Sequence, residues 1–175
     1  MANGGRARGA RSGGRVGHPF VLLAALVSAG ILGSTAEAAA DPPVRQEFTS
    51  EVSGPHFLSG ICGFTILQDG AVHGIETAFE DGRTIVHLDV DLVLTANGKV
   101  ALENPRFAVV IDPADGTVTL TGTLVNVHAP GQGQLLKEVG RVQDLATGDP
   151  LFSAGRFMIR EGELDKICSF FGTTP

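Results

Sequence analysis

The chain has 175 residues, with 13 Lys+Arg against 19 Asp+Glu, a formal charge of −6 at pH 7, two Cys, 24 Gly and neither Trp nor Tyr. An acidic surface repels phosphate, which disfavours nucleic acid and anionic membrane surfaces as partners. Sugars stack on Trp and Tyr rings, so their absence weakens a carbohydrate-binding reading.

Residues 1–38 read as a signal peptide. Arg6, Arg8, Arg11 and Arg15 form a basic start. Phe20 to Leu32 is an apolar run of about thirteen residues, within the usual range for the hydrophobic part of such a peptide. It is shorter than the roughly 20 residues a membrane span needs. Ala36-Glu37-Ala38 supplies a cleavage site, with Ala38-Ala39-Ala40 as a close rival. No Arg-Arg pair is present and no Cys lies near the cleavage site, which points to Sec-type export of an unlipidated, extracellular protein. The exported part keeps 9 basic and 18 acidic residues, a formal charge of −9. Its length of about 137 residues fits one domain with an adequate core. Residues 39–59 combine prolines, glycine and little periodicity, and read as a leader or covering segment outside a domain at 60–175.

Ile61 to Leu67, bounded by Gly60 and Asp69-Gly70, predicts a largely buried first strand. Ala71 to Glu80 predicts a weaker strand that Gly74 bends or bulges. Asp81-Gly82 turns the chain into Arg83 to Thr95. There Val86, Leu88, Val90, Leu92 and Leu94 fall on one parity, and Ile85, His87, Asp89, Asp91 and Val93 on the other. Side chains alternate faces along a strand, so one face is a continuous apolar stripe and the other carries most of the polarity. Asn97-Gly98 is the strongest short hairpin signal, and Val100 to Leu102 returns antiparallel. Asn104-Pro105 breaks the pairing. Arg106 to Ile111 is the next strand, and Asp112 to Gly116 forms a turn with Gly in the left-handed position.

Thr117 to His128 alternates Val118, Leu120 and Leu124 with threonines, and its parity slips near Asn126, which predicts a bulge. Turns at Pro130 to Gly133 and Ala146 to Pro150 separate strands at Gln134 to Gln143 and Leu151 to Ile159. The period then changes. Leu164, Ile167, Cys168 and Phe171 lie at i, i+3, i+4 and i+7, a helical stripe. Glu161, Glu163 and Asp165 suit the N-terminal end of that helix, and Gly172 its end. The sum is an all-β protein: an antiparallel up-and-down barrel of seven or eight strands, with a β-sandwich as the alternative and a short C-terminal helix. Closure is preferred because a long strand at 83–95 exposes a hazardous edge unless it is covered. Seven phenylalanines, Phe64, Phe79, Phe107, Phe152, Phe157, Phe170 and Phe171, are assigned to the core.

An exported chain with two cysteines predicts one disulfide, Cys62–Cys168, stapling the C-terminal helix to the first strand. No C-x-x-C or adjacent His spacing supports zinc. Ile61-Cys62-Gly63-Phe64, Pro130-Gly131-Gln132-Gly133, Ala154-Gly155-Arg156-Phe157 and the Cys168 helix, in that order, resemble a group of small secreted actinobacterial proteins of unassigned activity. The strand succession is similar to calycin-type barrels, including lipocalins and allene oxide cyclases. The resemblance implies a fold and carries over no binding or catalytic residue.

His87, Asp89 and Asp91 share one strand face at i, i+2 and i+4, an arrangement able to run acid/base chemistry if that face lines a cavity. Strand alternation by itself also places polar residues there. His73, His128 and Glu76 stand alone. Asp112 to Gly116 lacks the distal ligands of a calcium loop. No G-x-S-x-G, H-E-x-x-H or phosphate-binding glycine loop occurs, so neither a cofactor nor a metal is predicted.

The favoured expectation is a secreted, non-catalytic barrel that binds a small apolar ligand or a protein partner, such as an envelope protein. The alternatives are an isomerase or cyclase acting on an apolar substrate inside the barrel, and a structural envelope protein. The export reading makes a direct prediction. Protein recovered from culture medium starts just after Ala38 or Ala40, and its intact mass rises by two hydrogens on reduction. An N-terminus upstream of Ala36 contradicts it.

Overall fold

The structure, a computed structural model, describes residues 42–172. The expected signal peptide lies outside the described residues. Eight strands form a single antiparallel sheet: β1 (Val44–Pro55), β2 (Leu67–Ala78), β3 (Thr84–Ala96), β4 (Lys99–Glu103), β5 (Arg106–Asp112), β6 (Thr117–Ala129), β7 (Gly133–Leu145) and β8 (Pro150–Phe157). Three short helices accompany them: α1 (Leu58–Cys62), α2 (Met158–Glu161) and α3 (Asp165–Gly172).

The path across the sheet is β1-β2-β3-β4-β6-β7-β8, with β5 also lying between β3 and β6. β4 and β5 act as two halves of one strand. Leu92 to Ala96 of β3 pair with β4, while Thr84 to Asp89 pair with β5. β6 runs beside both. The expected break at Asn104-Pro105 is therefore a kink between halves, and the whole is a seven-position up-and-down meander. The sheet closes partly into a ring. β1 and β8 are its two ends, and no pairing joins them among the described residues.

β3 behaves as its alternation predicts. Val86, Leu88, Val90, Leu92, Leu94 and Ala96 are buried, and the intervening side chains from His87 to Thr95 are exposed. The Asn97-Gly98 turn has positive φ at both residues, 51° and 73°, the signature of a type I′ hairpin whose twist matches the strands. That turn fixes the register, with Ala96 opposite Lys99, Leu94 opposite Ala101 and Leu92 opposite Glu103.

The main core fills one end of the sheet. Val90 to Ala96, Ala101, Val125, Val127, Leu135 and Leu136 pack there under Leu58, Ile66, Ile167 and Phe171. The last four come from the α1 segment and from α3, which together form a lid. Cys62 and Cys168 are bonded, with Cα atoms 5.3 Å apart. Lys99 Nζ donates to Phe170 O at 2.7 Å and Asn97 Nδ2 to Phe171 O at 2.8 Å, so the hairpin satisfies carbonyls at the exposed end of α3. A smaller cluster of Leu124, Val142 and Phe157 meets the main core through Phe107, which packs against both.

Several expectations are corrected. The segment read as a leader contains β1, twelve residues paired along β2 from Val44 opposite Ala78 to Pro55 opposite Leu67. Ile61 and Cys62 belong to α1, not to a first strand, so the disulfide ties α3 to a helix. Short apolar runs do not distinguish helix from strand. Gly74 does not bulge its strand, since the registers on both sides run unbroken. It is glycine because the Phe48 ring covers it: an added Cβ would fall 2.2 Å from that ring. The β6 irregularities fall at Thr123/Val125 and Val127/His128, on either side of Asn126. The last strand ends at Phe157 and turns into α2. Of the phenylalanines, Phe152, 48% exposed, and Phe79, half-buried beneath the Arg83 guanidinium, lie outside both core clusters.

A bond joining residues 106 apart in sequence predicts a large stability loss when it is removed. Chain-entropy reasoning puts it at about 4–5 kcal/mol for the Cys62→Ser/Cys168→Ser pair. Urea unfolding of the double variant against wild type measures this. A loss under about 1 kcal/mol contradicts the stapled-lid reading.

Candidate functional site

The registers line up polar residues across the outward face. Thr49 of β1 lies opposite His73 of β2, His73 opposite Asp89 of β3, Asp89 opposite Arg106 of β5, and Arg106 opposite Thr123 of β6. The next row is Glu47, Ile75, His87, Ala108 and Thr121. All of them but Thr123 line an open groove of about 750 Å³.

Within it, Thr49 Oγ1 and His73 Nδ1 are 3.0 Å apart. Arg106 Nε meets Asp89 Oδ1 at 2.7 Å, with the two side chains 79% and 52% exposed. Exposed pairs of this kind contribute ~0–1 kcal/mol, so the pair contributes little to stability and serves to set local charge.

The structure brings His87, Asp89 and the formerly isolated His73 together. Asp91 stands apart, accepting from Asn104 Nδ2 at 2.8 Å. All three members of the acid/base trio lie on the solvent side of β3. The inward parity is the apolar one, so the condition set for acid/base chemistry by this trio, a cavity lined by its face, is not met. Among the described residues, no group of three or more His, Cys, Asp or Glu is placed to hold a metal ion.

The groove offers an ion pair, two imidazoles, threonine hydroxyls and the apolar surfaces of Ile75 and Ala108. This combination suits recognition of a mixed polar surface. Proton transfer in catalysis gains most where water is excluded, and this face is open.

Sequence reasoning missed a second polar cluster, inside the core. His56 Nε2 lies 2.8 Å from Glu103 Oε2, with both side chains almost wholly buried. Leu58 N–H points at His56 Nδ1 at 3.4 Å, while Glu103 Oε2, close as it is to the ring, has no aligned hydrogen-bond donor among the described residues. The His56 ring also packs on Phe57, centroids 4.3 Å apart. A second buried carboxylate, Glu138, accepts from Ile159 N at 2.9 Å and so holds the start of α2. Glu103 was within reach of the sequence, because the Asn97-Gly98 register sets it opposite Leu92 on the apolar face. His56 carried no comparable local signal. Both carboxylates are buried; Glu103 sits against the lid residue His56 and Glu138 holds the start of α2.

Breaking a buried pair leaves an uncompensated polar group, so Glu103→Ala is expected to lose about 3–5 kcal/mol. The double variant His56→Phe/Glu103→Leu is expected to recover most of that loss, since apolar replacement of both partners removes the orphan. Urea unfolding of the single and double variants checks this. A double variant no more stable than the single one contradicts it.

Among known proteins, no family model matches the chain, and no curated protein or solved structure matches it either.

Proposed function

We propose that the chain is exported and works outside the cell as a non-catalytic binding module, offering the groove across β1, β2, β3, β5 and β6 to a protein partner. One observation carries this reading. The side chains able to do acid/base chemistry stand on a solvent-facing sheet surface, with Asp89 already engaged by Arg106. An isomerase or cyclase acting inside the barrel loses its candidate residues by the same observation. Export is supported by the Cys62–Cys168 bond, which fits an oxidising compartment. Among the described residues, no helix is long and apolar enough to cross a membrane.

The small-ligand reading retains one support. Val109, Ile111, Val118 and Leu120 share the inward parity beyond the main core and are only half-buried. A flat apolar molecule resting there would bury them further.

A site-specific photo-crosslinker tests the partner reading. Placed at His87 in the groove, and at Asp115 in the β5–β6 turn as control, it is exposed to envelope and culture-fluid fractions of the producing organism. The expected result is a discrete adduct at position 87, absent at 115 and reduced at least tenfold by Arg106→Glu. Equal labelling at both positions, or none at 87, overturns the proposal. Native mass spectrometry of the exported protein that shows a bound small molecule favours the inward apolar surface instead.

A further inference from the structure

The outward face continues past the groove toward the lidded end, and its chemistry changes there. Strand registers set three further rows. The first, beside the groove, is Glu51, Ala71 and Asp91; the second is Ser53, Asp69, Val93 and Leu102; the last is Pro55, Leu67, Thr95 and Val100. Leu67 is 49% exposed, Val100 47% and Val93 39%, and Leu102 is half-buried. Thr95 faces both Leu67 and Val100, so Val93 lies diagonal to each, within side-chain reach. Aliphatic residues scattered singly on a surface carry no meaning, but neighbours across three strands form a patch, and such patches mark contact surfaces.

The carboxylates of these rows differ from those of the groove. In the groove Asp89 meets Arg106 at 2.7 Å, and Glu47 meets Arg45 at 3.6 Å. Glu51, Asp69 and Asp91 are exposed, and none has an ion-pair partner among the described residues. Asp91 accepts from the neutral Asn104 amide, which leaves its charge in place. The three rows contain no lysine or arginine. Unanswered negative charge thus flanks exposed aliphatic side chains.

We propose that these rows dock a cationic amphipathic helix belonging to the protein partner. Its apolar face rests on Leu67, Val93, Val100 and Leu102, and its lysines or arginines reach Glu51, Asp69 and Asp91. Resting on the reading of the outward face as a partner surface, this docking mode supplies the partner's chemistry. The dimensions agree. Four strands span about 14 Å, the length of a helix of about ten residues. A helix about 10 Å across covers two rows lying ~6.8 Å apart, and long basic side chains extend along the third. Charge selects the occupant. A second copy of this chain would bring three more carboxylates and no cation into the contact. An anionic lipid surface is repelled. A cationic helix is attracted over distance by an exported chain carrying 18 acidic and 9 basic residues.

Binding of helix-stapled, fluorescein-labelled peptides of about ten residues to the whole exported chain provides the test. One probe carries leucine on one face and lysine on its flanks; the other has glutamate in place of lysine. The lysine probe is expected to bind and to shift the NMR methyl signals of Leu67, Val93 and Val100. Glu51→Gln/Asp69→Asn/Asp91→Asn weakens that binding about tenfold, whereas Asp115→Asn leaves it unchanged. Val93→Lys/Val100→Lys abolishes it. If that variant fails to fold, the carboxylate variant and the methyl shifts still decide. Equal binding of the two probes, no binding, or methyl shifts away from the outward face overturns the proposal. So does a dimer in which these three side chains are already covered. Shifts confined to Ile75 and Ala108 overturn this docking mode and keep the groove reading. Binding at Leu67, Val93 and Val100 with no crosslink at position 87 does the reverse.

Discussion

The fold depends on covering the apolar stripe of β3. Six side chains from Val86 to Ala96 line one face of a thirteen-residue strand, and each is buried to 9% exposure or less. A curled sheet brings Val125, Val127, Leu135 and Leu136 against that stripe from the far side of the meander, yet leaves the end of the ring open. The lid closes it. Ile167 and Phe171 of α3 and Leu58 of α1 are wholly buried there. The Cys62–Cys168 bond makes one unit of two lid pieces that are otherwise far apart along the chain. Without it, each piece would have to hold its place by only a few apolar side chains, against the entropy of a loop of about a hundred residues.

The same pairing that buries the core also builds the outer face. Once Asn97-Gly98 sets Leu94 opposite Ala101, the parity of every strand out to β6 follows, and with it the row Thr49, His73, Asp89, Arg106, Thr123. One consequence is a carboxylate on the wrong side. Glu103 shares the parity of Ala101 and faces the core. The lid segment answers it with His56, so the group that would destabilise the capped end also locks the lid segment in register. Contact with the imidazole offsets part of the cost of burying that carboxylate, whose Oε2 lacks an aligned hydrogen bond.

Legibility followed the reach of each signal. β3, the Asn97-Gly98 hairpin, the Asp112 to Gly116 turn and the α3 stripe are local patterns a few residues long, and the structure contains each of them. β1 escaped because it is an edge strand, half-exposed along its length, with Phe48 and Val52 its main apolar side chains to bury. Those two sit opposite glycines, Gly74 and Gly70, which contribute no pattern of their own. α1 escaped because five residues hold too few turns to show a helical period. Of the groove, His87 and Asp89 were visible on one strand. Thr49 and Arg106 joined them only through strand order, which a linear sequence does not state. His56 was the least legible, since its partner lies on a different element and its own surroundings are irregular.

Strand order also revises the reason for expecting closure. The long strand at 83–95 seemed to need a barrel to hide its edge. It is central instead, flanked by β2 on one side and by β4 and β5 on the other, and therefore has no edge to hide. The edge problem passes to β1 and β8. Charges and a terminal proline guard β1, so an open ring is tolerable at that end. β8 starts at Pro150, and its pairing with β7 skips Leu151, so a proline and a bulge interrupt that edge in turn.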